Sequence, residues 1–213
     1  LGAGETTGIA GPRSELLGLA RQVVVQAAVH HGPADLAITV LTESPPDWDW
    51  AKWLPHVVIN GGAGRRLATT EDEVAGVAGL LPSGDEQASV ASHNLVIVDL
   101  PDLVAGARPA IRAALRDGAR RSVAGLALAA RPIDLPSLAT TIVVFGQQGC
   151  RVRFPDGRQS CLSPWQLGAA PARAATLSVG HGIPGPGGLP VDICLAGEAG
   201  PSPLFTGVTF GNF

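Results

Sequence analysis

The sequence has no Met and no Tyr, a single Lys at position 52, and aromatic residues at only 4% of its 213 positions. A chain with no Met anywhere reads as a segment of a longer protein. With aromatics so scarce, the core must be built from Val, Leu, Ile and Ala, within a hydrophobic share of 46%. One Lys means that chemistry needing an amine must use Lys52 or come from another chain. Charge of one sign is lacking as well. Lys and Arg total 15 against 18 acidic residues, a net charge of -3, so no global field draws the chain to nucleic acid or anionic lipid. Cysteine is rare: Cys150, Cys161 and Cys194 are odd in number and show no CxxC spacing, which argues against a disulfide framework, and a zinc site would need a His to complete it. They read as buried or incidental thiols in a reducing compartment. No basic stretch followed by an apolar run opens the chain, so no signal peptide is expected. The longest uncharged tracts, such as 174–191, are broken by Gly and Pro and are not apolar enough to span a bilayer. This segment reads as soluble.

What is present is abundant Gly (28), Pro (18) and Arg, in a chain long enough for one large or two small α/β domains. Helical spacing of Leu16, Leu19, Ala20, Val23 and Ala27 predicts a helix with Ser14 as its N-cap, closed at His30-His31-Gly32-Pro33. Residues 35–42 and 94–100 read as strands buried on both faces. A capped helix is expected at 70–81, an Arg-rich helix at 108–121, strands at 122–129 and 140–145, a hairpin at 150–162 and a last helix at 163–177. Strands alternating with helices give the fold class: α/β, a mostly parallel sheet flanked by helices, P-loop NTPase-like, with an antiparallel edge hairpin. Residues 1–180 form the expected domain, and 181–213, opening on GIPGPGGLP, an extended Gly/Pro-rich linker and tail.

The order strand, GPRS turn, helix, strand, helix, strand ending in Asp is the layout of a phosphate-binding loop. A working loop needs GxxxxGK[ST], so that backbone amides face the phosphates, Lys neutralises their charge and Ser or Thr holds Mg²⁺. Gly8 to Leu16, GIAGPRSEL, offers Gly8 and Gly11 but no GK[ST]. Arg13 and Ser14 stand near the place of the Lys–Ser pair, at a helix N-terminus suited to anions, yet Arg is no geometric substitute for that Lys. Asp99 ends the LVIVD strand, where such domains hold Mg²⁺, but no Glu follows it. Two readings stay open: a purely structural turn and Asp, or a degenerate nucleotide site of Gly11, Arg13, Ser14 and Asp99 that binds ATP and Mg²⁺ weakly. Neither supplies a catalytic residue, and no metal site is expected.

The most specific string is PPDWDWAKWLPH, residues 45–56, which puts Trp48, Trp50 and Trp53 beside Asp47, Asp49, Lys52 and His56. A base-stacking platform would need surrounding basic residues, and the local charge is balanced. A clamp over the sheet edge or a protein–protein contact remains, with Trp48, Trp50, Lys52, Trp53 and His56 as contact residues. Arg108, Arg112, Arg116 and Arg120 share one solvated helix face. His30, His31, His93 and His181 have no metal-ligand companions at readable spacing, and no GxSxG elbow fixes a nucleophile.

With GIAGPRSELLGLARQVVVQAAVHHGPADLAITVLT, WDWAKWLPH and NLVIVDL in hand, the chain resembles the FtsK/SpoIIIE-type ATPases of actinobacteria, in particular the EccC-like motors of type VII secretion. It is similar to the degenerate ATPase-like domain that precedes the first active ATPase module there. The resemblance covers about residues 8–180. It implies a non-catalytic part of a membrane-anchored motor for protein export, lying in the cytoplasm at the inner face of the membrane. ATP would be turned over by downstream modules. The implied partners are other domains or copies of the motor and membrane secretion subunits, with no direct nucleic acid. Two alternatives accompany it: a regulatory nucleotide-binding module without hydrolysis, and a DNA-translocase-associated domain. The tail at 197–213 and the lack of upstream transmembrane helices depart from the family pattern.

Overall fold

The computed structural model describes residues 2–59, 62, 64–81, 93–100, 109–147, 149–164, 166–172, 191–197 and 200–208. Strand β1 (Thr6–Ala10) runs into helix α1 (Arg13–His30), then strand β2 (Leu36–Thr42) and the short helix α2 (Pro45–Trp48). Two 3₁₀ turns, Asp49–Trp53 and Pro55–Val57, lead to strand β3 (Leu67–Ala68) and helix α3 (Glu71–Ala78). Strand β4 (His93–Asp99), helices α4 (Pro109–Arg116) and α5 (Gly118–Arg121), strand β5 (Val123–Ala129) and strand β6 (Thr141–Gly146) follow. The edge is made by β7 (Gly149–Arg153) and β8 (Gln159–Leu162).

These strands form one sheet in the order β3-β2-β4-β5-β1-β6-β7-β8. The six strands from β3 to β6 pair in parallel, and β6-β7-β8 are antiparallel. The expected fold class is the observed one. Strand β2, LAITVLT, is buried at every position, as a strand covered on both faces must be. On one face α1 and the Trp loop close a cluster that includes Ile9, Leu16, Ile38, Trp48, Trp50, Ile97 and Phe145. On the other, α3 and α4 cover Leu41, Val96 and Val98 through Val74, Val77, Ile111 and Leu115. One strand, β5, separates β1 from β4, so the residues after these two strands lie at the same end of the sheet.

Local chemistry explains the boundaries. Thr70 and Glu73 form a reciprocal capping box, which starts α3 at Glu71, one residue after the expected boundary. The Glu73 carboxylate accepts from the Thr69 and Thr70 amides, and these bonds hold it below the usual carboxylate range. Ser14 is not the N-cap of α1: Pro12 takes that position and the helix begins at Arg13, because proline's fixed φ already suits the entry. The single helix expected at 108–121 is split at Asp117, and Ser122 ends the second piece at φ 52°. Arg108 lies outside the described residues; Arg116 and Arg120 are exposed, as a solvated face requires. The last expected helix forms only at 169–172: 163, 164 and 166–168 carry no helix, and 165 and 173–177 lie outside the described residues. That strap crosses α1 where Gly18 leaves room, with the Leu167 amide donating to the Gly18 carbonyl at 2.9 Å.

In the tail, β9 (Val191–Gly197) and β10 (Gly200–Val208) pair antiparallel as a separate two-stranded sheet. The expected linker at 182–190 is outside the described residues. No helix among the described residues is long and apolar enough to cross a membrane.

Candidate functional site: the β1–α1 turn, Asp99 and the Trp loop

The connection from β1 to α1 is only Gly11-Pro12. Gly11 sits at φ 146°, and a Cβ there would lie 2.7 Å from the Phe145 Cβ. Only Gly can turn this tightly against β6. Gly11→Ala should cost about 1–3 kcal/mol, read as a lowered urea midpoint with an unchanged slope. The turn is also poor in free donors. The Gly11 amide is bonded to the Ala129 carbonyl, Pro12 has none, and the Glu15 and Leu16 amides are bonded to the Pro12 carbonyl. A phosphate cradle needs several amides aimed at one point, and a two-residue turn cannot present them.

Arg13 and Asp99, expected to bracket a nucleotide, bind each other. Arg13 Nη1 donates to Asp99 Oδ1 at 2.5 Å and Nη2 to Oδ2 at 2.7 Å. The same guanidinium donates through Nε (3.1 Å) and Nη2 (2.7 Å) to Asp47 Oδ2. Asp99 Oδ2 also accepts from Thr42 Oγ1 at 2.9 Å and from Trp48 Nε1 at 2.8 Å. Its side chain is only 5% exposed, whereas Arg13 keeps 45% of its own surface. The hydrogen bonds to Asp99 are the main cause that raises the Arg13 pKa above its ordinary value. Arg21, nearly buried beside Asp47, is pulled down by desolvation. A direct bidentate pair leaves no gap for a phosphoryl group or a hydrated cation between Arg13 and Asp99. Ser14 is exposed in the first turn of α1 and takes no part in this network.

The sequence reasoning missed Thr42 and the bonding role of Asp47. Strand alignment holds the signal for Thr42: it is the register partner of Asp99 in the β2–β4 ladder, so both side chains leave the sheet at the same level. Asp47 arrives because Pro45 and Pro46 start a one-turn helix directly after β2.

The Trp loop divides into an inner and an outer part. Trp48 and Trp50 are 0% and 1% exposed, stacked at 6.0 Å between centroids, and Trp50 Nε1 donates to the Asp47 carbonyl at 3.2 Å. His56 is 2% exposed. These three, expected as partner-contact residues, are core residues instead, since large rings at the sheet edge gain most by burial. Trp53 is 53% exposed, with Lys52 Nζ 5.5 Å from its ring centroid and 2.6 Å from Asp49 Oδ1. Of the expected contact residues, Trp53 and Lys52 face outward.

His56 Nε2 donates to the His31 carbonyl at 2.7 Å, and its Nδ1 is buried with no partner. Burial therefore pushes its pKa below the ordinary 6.5. A depressed histidine is neutral when folded and takes up its proton more readily when unfolded. Its contribution to stability is intact above about pH 6.5 and is lost as pH falls from there toward the folded pKa. Urea midpoints between pH 7.5 and 5 should fall, with a slope of up to about 1.4 kcal/mol per pH unit from this group. His56→Gln should flatten that slope.

Among the described residues no group of His, Cys, Asp and Glu is arranged to hold a metal ion.

No family model matches the chain. It is 34% identical over 113 residues to the ESX-3 secretion system protein EccC3 of Mycobacterium tuberculosis, covering 47% of this chain and 8% of that protein. It is 35% identical over 115 residues to the ESX-1 secretion system protein EccCa1 of the same organism, covering 51% of this chain and 15% of that protein. The chain therefore spans a small fraction of the length of these curated relatives. Among solved structures, the cytoplasmic domain of the Thermomonospora curvata type VII secretion ATPase EccC matches with TM-score 0.57 at 14% identity, over 95% of this chain and 33% of that one. Its ATPases 2 and 3, solved in complex with a signal sequence peptide, match with TM-score 0.58 at 15% identity, over 95% of this chain and 51% of that one. At those identities the structures speak for the fold, which is P-loop NTPase-like. The resemblance to EccC-like proteins stands on the sequence matches, over about half of the chain.

Proposed function

We propose that this chain is a non-catalytic, ATPase-like domain of an FtsK/SpoIIIE-type, EccC-like type VII secretion motor, and that it acts through protein–protein contacts in protein export. The observation that carries the non-catalytic reading is the Arg13–Asp99–Asp47 network behind a two-residue turn. The cation and the carboxylate that would face a nucleotide's phosphates and Mg²⁺ neutralise each other. The fold of a motor is kept as a scaffold, with ATP turnover left to other modules of the parent protein. Trp53, carrying Lys52 over its ring, supplies an outward contact of the kind enriched at protein interfaces. The partners are other domains or copies of the motor and membrane secretion subunits, and the place is the cytoplasmic side of the membrane, reached through the parent chain. No cofactor is required.

A regulatory module that binds nucleotide without hydrolysis is the second reading. It is favoured by the 45% exposure of Arg13, whose outer edge faces solvent. Calorimetry and thermal unfolding with millimolar Mg-ATP separate the two. The scaffold reading expects no binding heat, a Tm change under about 1 °C and no phosphate release. A saturable rise of several degrees that disappears in Arg13→Gln favours the regulatory module. Hydrolysis that Arg13→Gln abolishes in a folded variant overturns both.

A further inference from the structure

Three buried polar side chains that the site above does not use lie on one face of the sheet without partners. Thr39 is 0% exposed, Asn94 2% and Arg66 7%. Arg66 Nε and Nη1, Thr39 Oγ1 and both amide atoms of Asn94 are enclosed with no hydrogen-bond partner. Strand register sets Thr39 and Arg66 level with each other, with Asn94 farther along the same side of the sheet. Val40 pairs with Leu67 and Leu41 with Ala68, so Arg66 continues the ladder opposite Thr39, and its carbonyl accepts the Val40 amide at 2.8 Å. Asn94 pairs with Ala37, two residues before Thr39 and therefore on the same side of β2. Leu41, Ala68, Val96 and Val98 share that side and pack in the cluster under α3 and α4. The Arg13–Asp99 network, one residue out of phase on β2 and β4, lies on the opposite side with α1.

On the side of the sheet that carries this cluster, Arg66 is buried, and no carboxylate among the described residues pairs with it. Burial draws its pKa below the ordinary arginine value, yet a guanidinium stays charged in proteins. A buried charge left alone is strongly destabilising, whereas one met by a planar oxyanion is satisfied by parallel N–H donors. A hydroxyl donor opposite it, as at Thr39, extends the same chemistry.

We propose that Arg66, with Thr39 opposite it on β2, forms a buried binding site for an oxyanion of the carboxylate or phosphate class, separate from the Arg13–Asp99 turn. The test is thermal unfolding of the full chain, wild type and Arg66→Met, in sodium acetate or sodium phosphate against sodium chloride at matched ionic strength. The wild type should show a saturable rise in Tm, roughly 5 °C at a hundredfold excess over Kd. A response to acetate assigns a carboxylate ligand, and a response to phosphate a phosphoryl one. Arg66→Met should show only the general salt response. In chloride it should unfold at or above the wild-type Tm, because it removes an uncompensated charge while keeping the length of the side chain. Three results overturn the site: a wild type indifferent to which anion is present, an Arg66→Met variant that follows the wild type in every anion, or an Arg66→Met variant less stable than wild type in chloride, which would give the guanidinium an internal partner.

Discussion

Asp99→Ala should lower the Tm by roughly 6–20 °C, one of the two largest losses expected from single changes at the site. One carboxylate, 5% exposed, accepts four hydrogen bonds from Arg13, Thr42 and Trp48. Removing it leaves a buried hydroxyl and a buried indole N–H without this acceptor, and Arg13 with Asp47 alone. Breaking a buried pair from one side costs about 3–5 kcal/mol, and a domain of this size loses about 2–4 °C per kcal/mol. Arg13→Ala should cost less, about 2 kcal/mol, because Arg13 is half exposed and water screens part of its interaction. Asp99→Asn should fall between the two, since an amide oxygen can still accept from Thr42 or Trp48. Calorimetric scans of the three variants decide the matter. A loss below about 1 kcal/mol for Asp99→Ala would mean that the network forms without stabilising the fold.

Trp50→Ala and Trp53→Ala should separate folding from contact. Trp50 is 1% exposed and stacked on Trp48, so its removal opens a cavity next to the core of β2 and β4 and should cost about 3–5 kcal/mol. Trp53 is 53% exposed and rests against Lys52, so its loss should cost under about 1 kcal/mol. Any effect of Trp53→Ala on assembly with motor partners should then appear in a protein of near wild-type Tm. Equal destabilisation by both changes would place Trp53 in the fold and remove it as a contact residue.

The elements that could be read from the sequence are those whose signal is local and periodic. Strands β2 and β4 announce themselves as apolar runs because both faces are buried, and α3 through its Thr70–Glu73 box. The strap over α1 could not be placed from the sequence, because its Leu167 amide is bonded to a distant backbone partner at Gly18. The same limit applies to the Trp loop. PPDWDWAKWLPH shows three large rings close together, yet only packing against the sheet decides that Trp48 and Trp50 are buried and Trp53 is exposed.

By itself the sequence determined the α/β class, the strands β2 and β4 with helix α1 ahead of them, and the missing lysine where a phosphate loop would need one. Each of these is written in residue type and spacing along the chain. Only the tertiary structure decided what fills the vacant role. Arg13 and Asp99 are separated by 86 positions in the chain and Thr42 and Asp99 by 57. They meet because parallel pairing sets Thr42 level with Asp99 while the turn of two residues drops Arg13 onto that carboxylate. Which of two compatible charges meets a ligand and which meets the other is a matter of distance, and distance between remote positions is fixed by strand register and packing.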